Sequence, residues 1–255
     1  MGLLQTLLGK SQQLTNNQLA LELIKRGKTA EQCRCIDFIY SPDEAAQRGC
    51  LGKKKKKKKG GCLSKEYEMD MNEYLEYVQK FIDKLDLKQR AINKIGLDES
   101  QISEIAPVVL SSFVWRGDGV VSKWEECDTP GYWMHATNKY SVTWIFFSDT
   151  QIYTYNYTFD TCSDNSVEST RDFFYTDITC IRTEHEVVEN IREKMEGCGC
   201  LKKKESKFYH DNYHYDTLSI TVPNDGYTFW CKTTDTIEQS IQATKSMIRE
   251  KKNNK

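Results

Sequence analysis

At Pro107 the hydrophobic period of the chain changes from 3.6 residues to 2, which restricts the fold more than any other feature. Before it, Met71, Tyr74, Leu75, Val78, Phe81, Ile82 and Leu85 recur at spacings of three and four and define one face of an amphipathic helix. After it, Val108 to Trp115, Tyr140 to Phe147, Ile152 to Phe159, Arg171 to Arg182, Leu218 to Val222 and Tyr227 to Cys231 read as strands, rich in aromatic and β-branched residues. The alternation is strict in one of them: Tyr153, Tyr155, Tyr157 and Phe159 share a face, which is expected to be core. Pro223-Asn224-Asp225-Gly226 is a hairpin turn. Asp235 and Glu238 form a capping box for a last helix, Thr236 to Arg249, whose Ile237, Ile241, Thr244 and Ile248 make one stripe. The chain therefore reads as α+β, a helical N-terminal region followed by an antiparallel β domain closed by a C-terminal helix.

Two stretches carry a family likeness. FFYTDITCIRTE (173–184) and LSITVPNDGYTFWCKTTDTIEQSIQATKSMIRE (218–250) resemble the C-terminal half of small bacterial PH-like and GRAM-like domains, where an aromatic-x-x-Ile strand precedes a hairpin and a closing helix. The resemblance implies a PH-like β-barrel or sandwich over residues 107–255 that meets a partner through loops at its open end. Residues from Glu186 to Tyr209 depart from the pattern: a short helix and the sequence GCGCLKKK are expected there, as an insertion at 187–209.

Ahead of this domain the expected order is a helical segment (1–48), a flexible Gly/Cys/Lys linker (49–65) and a helical connector (66–106). Leu3 to Arg26 reads as two short helices, the second stopping at Gly27, and Ser41-Pro42-Asp43-Glu44 opens a two-turn helix ended by Gly49. In the connector, Asp86 caps a helix ending at Ile95-Gly96, and Asp98 with Gln101 starts a short one that Pro107 stops. Only 38% of residues are hydrophobic and 29% are charged, which fits a solvated fraction beside a packed core.

A net charge of −1 provides no global field, so attraction to nucleic acid or lipid must be local. Two basic clusters qualify: Lys53, Lys54, Lys55, Lys56, Lys57, Lys58 and Lys59, and the shorter Lys202, Lys203 and Lys204. The first contains no aromatic for base stacking and gives no specific nucleic-acid signature. Asn17 to Glu31 mimics a helix-turn-helix around Gly27, too common a pattern to weigh. The start, Met1 to Leu8, lacks the features of an export signal, and no apolar run reaches the 18 residues a span needs. The expected location is cytoplasmic, with peripheral membrane attachment as the alternative, and the ten cysteines are expected as thiols or ligands rather than disulfides.

Cys198, Cys200, His210 and His214 form C-x-C-x9-H-x3-H, a near match to a structural zinc site, although zinc cysteines are usually separated by at least two residues. Cys33, Cys35, Cys50 and Cys62 form a second candidate set, against which Cys35 beside Ile36, Phe38 and Ile39 reads as a buried thiol. Gly-Cys-Leu recurs near lysine at 49–51, 61–63 and 199–201, pairing an acylatable thiol with a polybasic cluster, the two signals a lipid anchor needs, and Met1-Gly2 with Thr6 also fits an acylation pattern that matters in a eukaryotic setting. No G-x-S-x-G, glycine-rich phosphate loop or H-E-x-x-H is present. His185 lies between Glu184 and Glu186, but neighbours on a strand face opposite ways, and His135 reads as a surface or satisfied histidine. The expectation is a non-enzymatic binding module without a cofactor, meeting a protein partner or an anionic membrane through Lys202 to Lys204. A zinc-stabilised protein is the first alternative and a nucleic-acid-associated protein the second.

Overall fold

The computed structural model describes residues 16–40, 69–98, 106–126, 133–196, 205–232 and 235–253. Helices α1 (Asn16–Lys25) and α2 (Ala30–Tyr40) meet at Gly27, whose φ of 74° is the left-handed geometry that lets the chain reverse. Thr29 and Gln32 form a reciprocal capping box at the start of α2. The helix then buries Cys35, Ile36, Phe38 and Ile39, as the run of apolar residues predicts. Helix α3 (Met71–Asp83) is opened by an Asp70/Glu73 capping box and buries Met71, Tyr74 and Val78. Helix α4 (Leu87–Ile95) stops at Gly96 as expected, whereas Asp86 stands before it in a left-handed conformation and does not cap with its side chain.

The strands are β1 (Val108–Phe113), β2 (Ser122–Glu126), β3 (Trp133–Thr137), β4 (Lys139–Phe147), β5 (Gln151–Asp160), β6 (Ser166–Phe174), β7 (Cys180–Glu196), β8 (Glu205–Val222) and β9 (Asp225–Lys232), followed by α5 (Asp235–Asn253). They make a four-stranded sheet in the order β1-β4-β5-β6, a β2-β3 hairpin, and a three-stranded sheet β7-β8-β9, and every pairing is antiparallel.

Both faces of the four-stranded sheet are covered, and β5 explains how. Tyr155, Tyr157 and Phe159 are buried together with α2, α3 and α4, as the alternation predicts. On the opposite face Ile152 joins Leu110, Ile145, Phe147 and Phe173 in a second core with Leu218, Ile220 and Phe229 of the other sheet and Ile241 and Ile248 of α5. Polar residues on that face satisfy one another: Asn156 Nδ2 donates to Ser141 Oγ at 2.7 Å and to Thr143 Oγ1 at 2.8 Å. Tyr74 joins helix to sheet, its hydroxyl donating to the Thr137 carbonyl at 2.7 Å and lying 2.8 Å from Thr161 Oγ1.

Four expectations are corrected. The strands form separate hydrogen-bonded sheets among the described residues and do not close into one barrel. The short helix expected between Glu186 and Tyr209 is absent among the described residues of that segment, because β7 runs unbroken to Glu196 and its cross-strand pairing with β8 overrides the helix-forming residues Glu189 to Glu196. Most of the expected insertion at 187–209 is therefore hairpin. The single strand Arg171 to Arg182 is two, broken where Tyr175 turns inward: its backbone N–H donates to the Thr150 carbonyl and its hydroxyl to the Ser148 carbonyl. The sequence reading also missed β2 and β3. The expected linker, the helix opened by Ser41 and the helix between Asp98 and Pro107 lie outside the described residues, apart from Asp98 itself and Ala106.

Candidate functional site

A group of chemically versatile side chains stands on the β7–β8 hairpin where β9 ends. Strand β9 pairs with β8 from Val222 back to Tyr215, while β7 and β8 continue as a two-stranded ribbon of ten further residue pairs, Val187 with His214 through Glu196 with Glu205. In this register His185 lies opposite Asp216 and Val187 opposite His214, so His185 and His214 are diagonal neighbours on one face. The contacts follow from that placement. His185 Nδ1 is 2.9 Å from Asp216 Oδ1, and His185 Nε2 is 3.0 Å from His214 Nδ1. The rings lie within 25° of parallel.

The same face continues downward into the second core. Leu218, Ile220 and Cys231 are fully buried, and Lys245 of α5 donates to Thr183 Oγ1 at 2.8 Å. The Cys231 thiol, pushed up to about 12 by burial and by Asp216, lies 3.2 Å from the Asp216 carbonyl, which ties β9 to this part of β8. Asp216 is thus on the rim of the core while His185 is half exposed. A carboxylate fixing one imidazole, which in turn faces a second, sets the first ring's tautomer and points its other nitrogen at the neighbour.

The opposite face of the hairpin root is aromatic. Tyr215 is fully buried between Trp230, 5.0 Å between ring centres, and the cluster containing Trp124. Its hydroxyl donates to Glu186, which also pairs with Arg116 at 3.2 Å. Glu186 therefore points away from His185, as the alternation requires, and Glu184 pairs with Arg182. His135 lies on β3, packed 4.2 Å from the Trp124 ring centre and edge-on to Trp115.

Of the expected sites, Cys198, Cys200, Lys202, Lys203, Lys204, Cys50, Cys62 and Lys53 to Lys59 lie outside the described residues. His210 and His214 both belong to β8, and four residues of strand separate their backbones by about 13 Å. Cys33 and Cys35 are two apart on α2, a spacing at which side chains do not face each other. Cys35 is fully buried and its thiol is raised by desolvation, with Cys162 nearby adding to the effect. Among the described residues no group of three or more His, Cys, Asp or Glu is arranged around one metal position.

Sequence reasoning missed the His185 and Asp216 pairing. The signal was present in the alternation of β8, which continues past Leu218 to His214, but the matching register of β7 spans 31 residues and no local motif encodes it.

One cavity lies elsewhere, between α2, α3 and the β5–β6 turn, where Gln32 Nε2 bridges to Asp164 Oδ1 at 2.7 Å. At about 140 Å³ it is smaller than the roughly 300 Å³ at which ligand pockets begin. No described helix is long and apolar enough to cross a membrane. No protein-family model, curated protein or solved structure matches the chain.

Proposed function

We propose that the chain is a PH-like protein-binding module that presents the β7–β8 hairpin to a partner. The order of elements supports the PH-like reading: a four-stranded and a three-stranded antiparallel sheet share a core, β1 lies alongside β9, and one helix follows the last strand. The hairpin carries the binding reading. Its ten residue pairs beyond β9 extend about 30 Å. A two-stranded ribbon is marginal in water by itself, and both of its outer edges offer backbone N–H and C=O groups to an added strand. Strand addition to such an edge is a standard mode of peptide recognition.

The charges of the paired residues give a protein surface the advantage over a lipid one along the length of the ribbon. Along the paired residues Glu189, Glu193, Glu196, Glu205 and Asp211 outnumber Arg192, Lys194 and Lys207, which disfavours laying the ribbon flat on an anionic bilayer, while Lys202, Lys203 and Lys204 between its two strands bring the whole hairpin close to neutral. The test replaces residues 189–212 by an Asn-Gly turn and compares the two chains by quantitative affinity purification, then by direct titration of purified components. The reading expects a protein whose binding falls at least tenfold with the shortened hairpin. It is overturned if recovered partners are indifferent to the hairpin, or if the full chain binds phosphatidylserine vesicles and loses that binding when Lys202, Lys203 and Lys204 are changed to Glu.

A further inference from the structure

We propose that His185 and His214 form a bidentate site for a divalent transition metal such as zinc, with Asp216 as the residue that orients the His185 ring. The ligand atoms are His185 Nε2 and His214 Nδ1. Two nitrogens bound tetrahedrally to one zinc at 2.0–2.1 Å stand about 3.3 Å apart. In the protein they stand 3.0 Å apart, so the ion needs only a small tilt of two exposed rings. The Asp216 carboxylate holds the proton on His185 Nδ1 at 2.9 Å and leaves Nε2 with its lone pair toward the ion. That is the carboxylate–histidine–metal arrangement that fixes tautomer and raises ligand basicity.

The backbone beneath is stiff. Tyr215, between His214 and Asp216, is fully buried, and the Asp216 carbonyl is held by Cys231. The ions competing for such a site are those that suit imidazole: copper, nickel, cobalt and zinc. Binding costs the hydrogen bond between the two rings. The His214 ring must carry its proton on Nε2 instead of Nδ1, an exchange made through solvent that frees Nδ1 for the ion. Two water molecules complete the tetrahedron. This arrangement differs from the Cys198/Cys200/His210/His214 set, since it takes His214 with a ligand on the neighbouring strand instead of one four residues along the same strand.

The chain's four histidines make the test direct. Full-length protein labelled with ¹⁵N-histidine and kept reduced is titrated with zinc chloride, and the imidazole nitrogens are followed by NMR, with assignments from His→Ala variants. The proposal expects His185 Nε2 and His214 Nδ1 to shift together, saturating at one equivalent, while His135 and His210 stay in place. His185→Ala and His214→Ala should each weaken zinc binding at this site at least tenfold, and Asp216→Asn by 10- to 100-fold. Coupled shifts of His210 and His214 without His185 would overturn it, as would an absence of His185 and His214 shifts below millimolar zinc.

Discussion

The two halves of the β7–β8 hairpin share one ladder and one alternation, yet they live in different environments. In the lower half, β8 has neighbours on both sides, β9 extends the sheet, α5 covers one face and Trp124 packs against the other. Tyr215, Thr217, Leu218 and Ile220 are buried as a result. In the upper half no third strand pairs with the ribbon among the described residues, and at its base Val187 is already 47% exposed. Pairing alone therefore sets the shape of a hairpin, and packing against third elements sets its stability. The histidine pair stands on the boundary, where the lower half fixes the backbone and the upper half leaves the rings open to solvent.

Amide hydrogen exchange gives the largest contrast. Local opening ranges from near zero to the global unfolding free energy of roughly 5–15 kcal/mol. Amides in residues 216–221 and 228–231 should exchange at least about 10³-fold more slowly than those in 188–196 and 206–213, each 1.4 kcal/mol being tenfold. Mass spectrometry of peptides checks this. Equal protection in the two halves would mean that something covers the ribbon.

Thiol chemistry follows the same boundary. Cys231 is fully buried and its pKa is pushed up to about 12, whereas Cys180 on the free edge of β7 is exposed. From an ordinary value of 9.0 that rise makes the Cys231 thiolate about 1,000-fold scarcer near neutral pH. Iodoacetamide at pH 8, mapped by mass spectrometry, should modify Cys180 within minutes and leave Cys231 intact. The sign for stability follows. A folded-state pKa raised above the unfolded one contributes stability in full below about pH 9, and that stability is lost as pH rises toward about 12. Rapid alkylation of Cys231 in the native protein would show that β9 opens freely.

Side-chain truncation tests the same boundary energetically. Leu218→Ala, at a fully buried position in the second core, should cost about 2–5 kcal/mol in urea unfolding. Val187→Ala, two residues past His185 on the neighbouring strand, should cost less than about 1 kcal/mol. A larger loss for Val187 than for Leu218 would place the stabilising contacts in the ribbon instead of the root.

What the sequence encodes follows a similar division. The burial of β5 was legible because Tyr153, Tyr155, Tyr157 and Phe159 alternate against polar residues, and α3 was legible from its stripe and its Asp70/Glu73 box. Leu75 sits on that stripe by spacing but is exposed, since periodicity fixes a face and not its width. The upper part of β7 was not legible. Glu189, Arg192, Glu193, Lys194, Met195 and Glu196 favour a helix locally, and only pairing with β8 makes them a strand. β2 and β3 were missed because Lys123, Glu125 and Glu126 dilute the alternation that Trp124 and Ala136 anchor. The site lay beyond local reading for a related reason: His185 meets Asp216 through a register set by the whole hairpin.

The smallest effect is also the most specific to the lower half. Thr217 lies at the centre of the three-stranded sheet, 1% exposed, and its Oγ1 has no hydrogen-bond partner among the described residues. An unsatisfied buried hydroxyl carries a desolvation cost that no bond offsets, about 1–3 kcal/mol for a fully orphaned group. Thr217→Val keeps the β-branched shape and removes the hydroxyl. It should leave the protein unchanged or stabilise it by up to about 1 kcal/mol, while the equivalent change at Thr183, whose hydroxyl accepts from Lys245, should destabilise it slightly. Matched urea denaturation curves separate the two. If Thr217→Val destabilised the protein by more than Thr183→Val, the Thr217 hydroxyl would have a bound partner, and the lower half of the hairpin would owe part of its stability to that contact rather than to apolar packing alone.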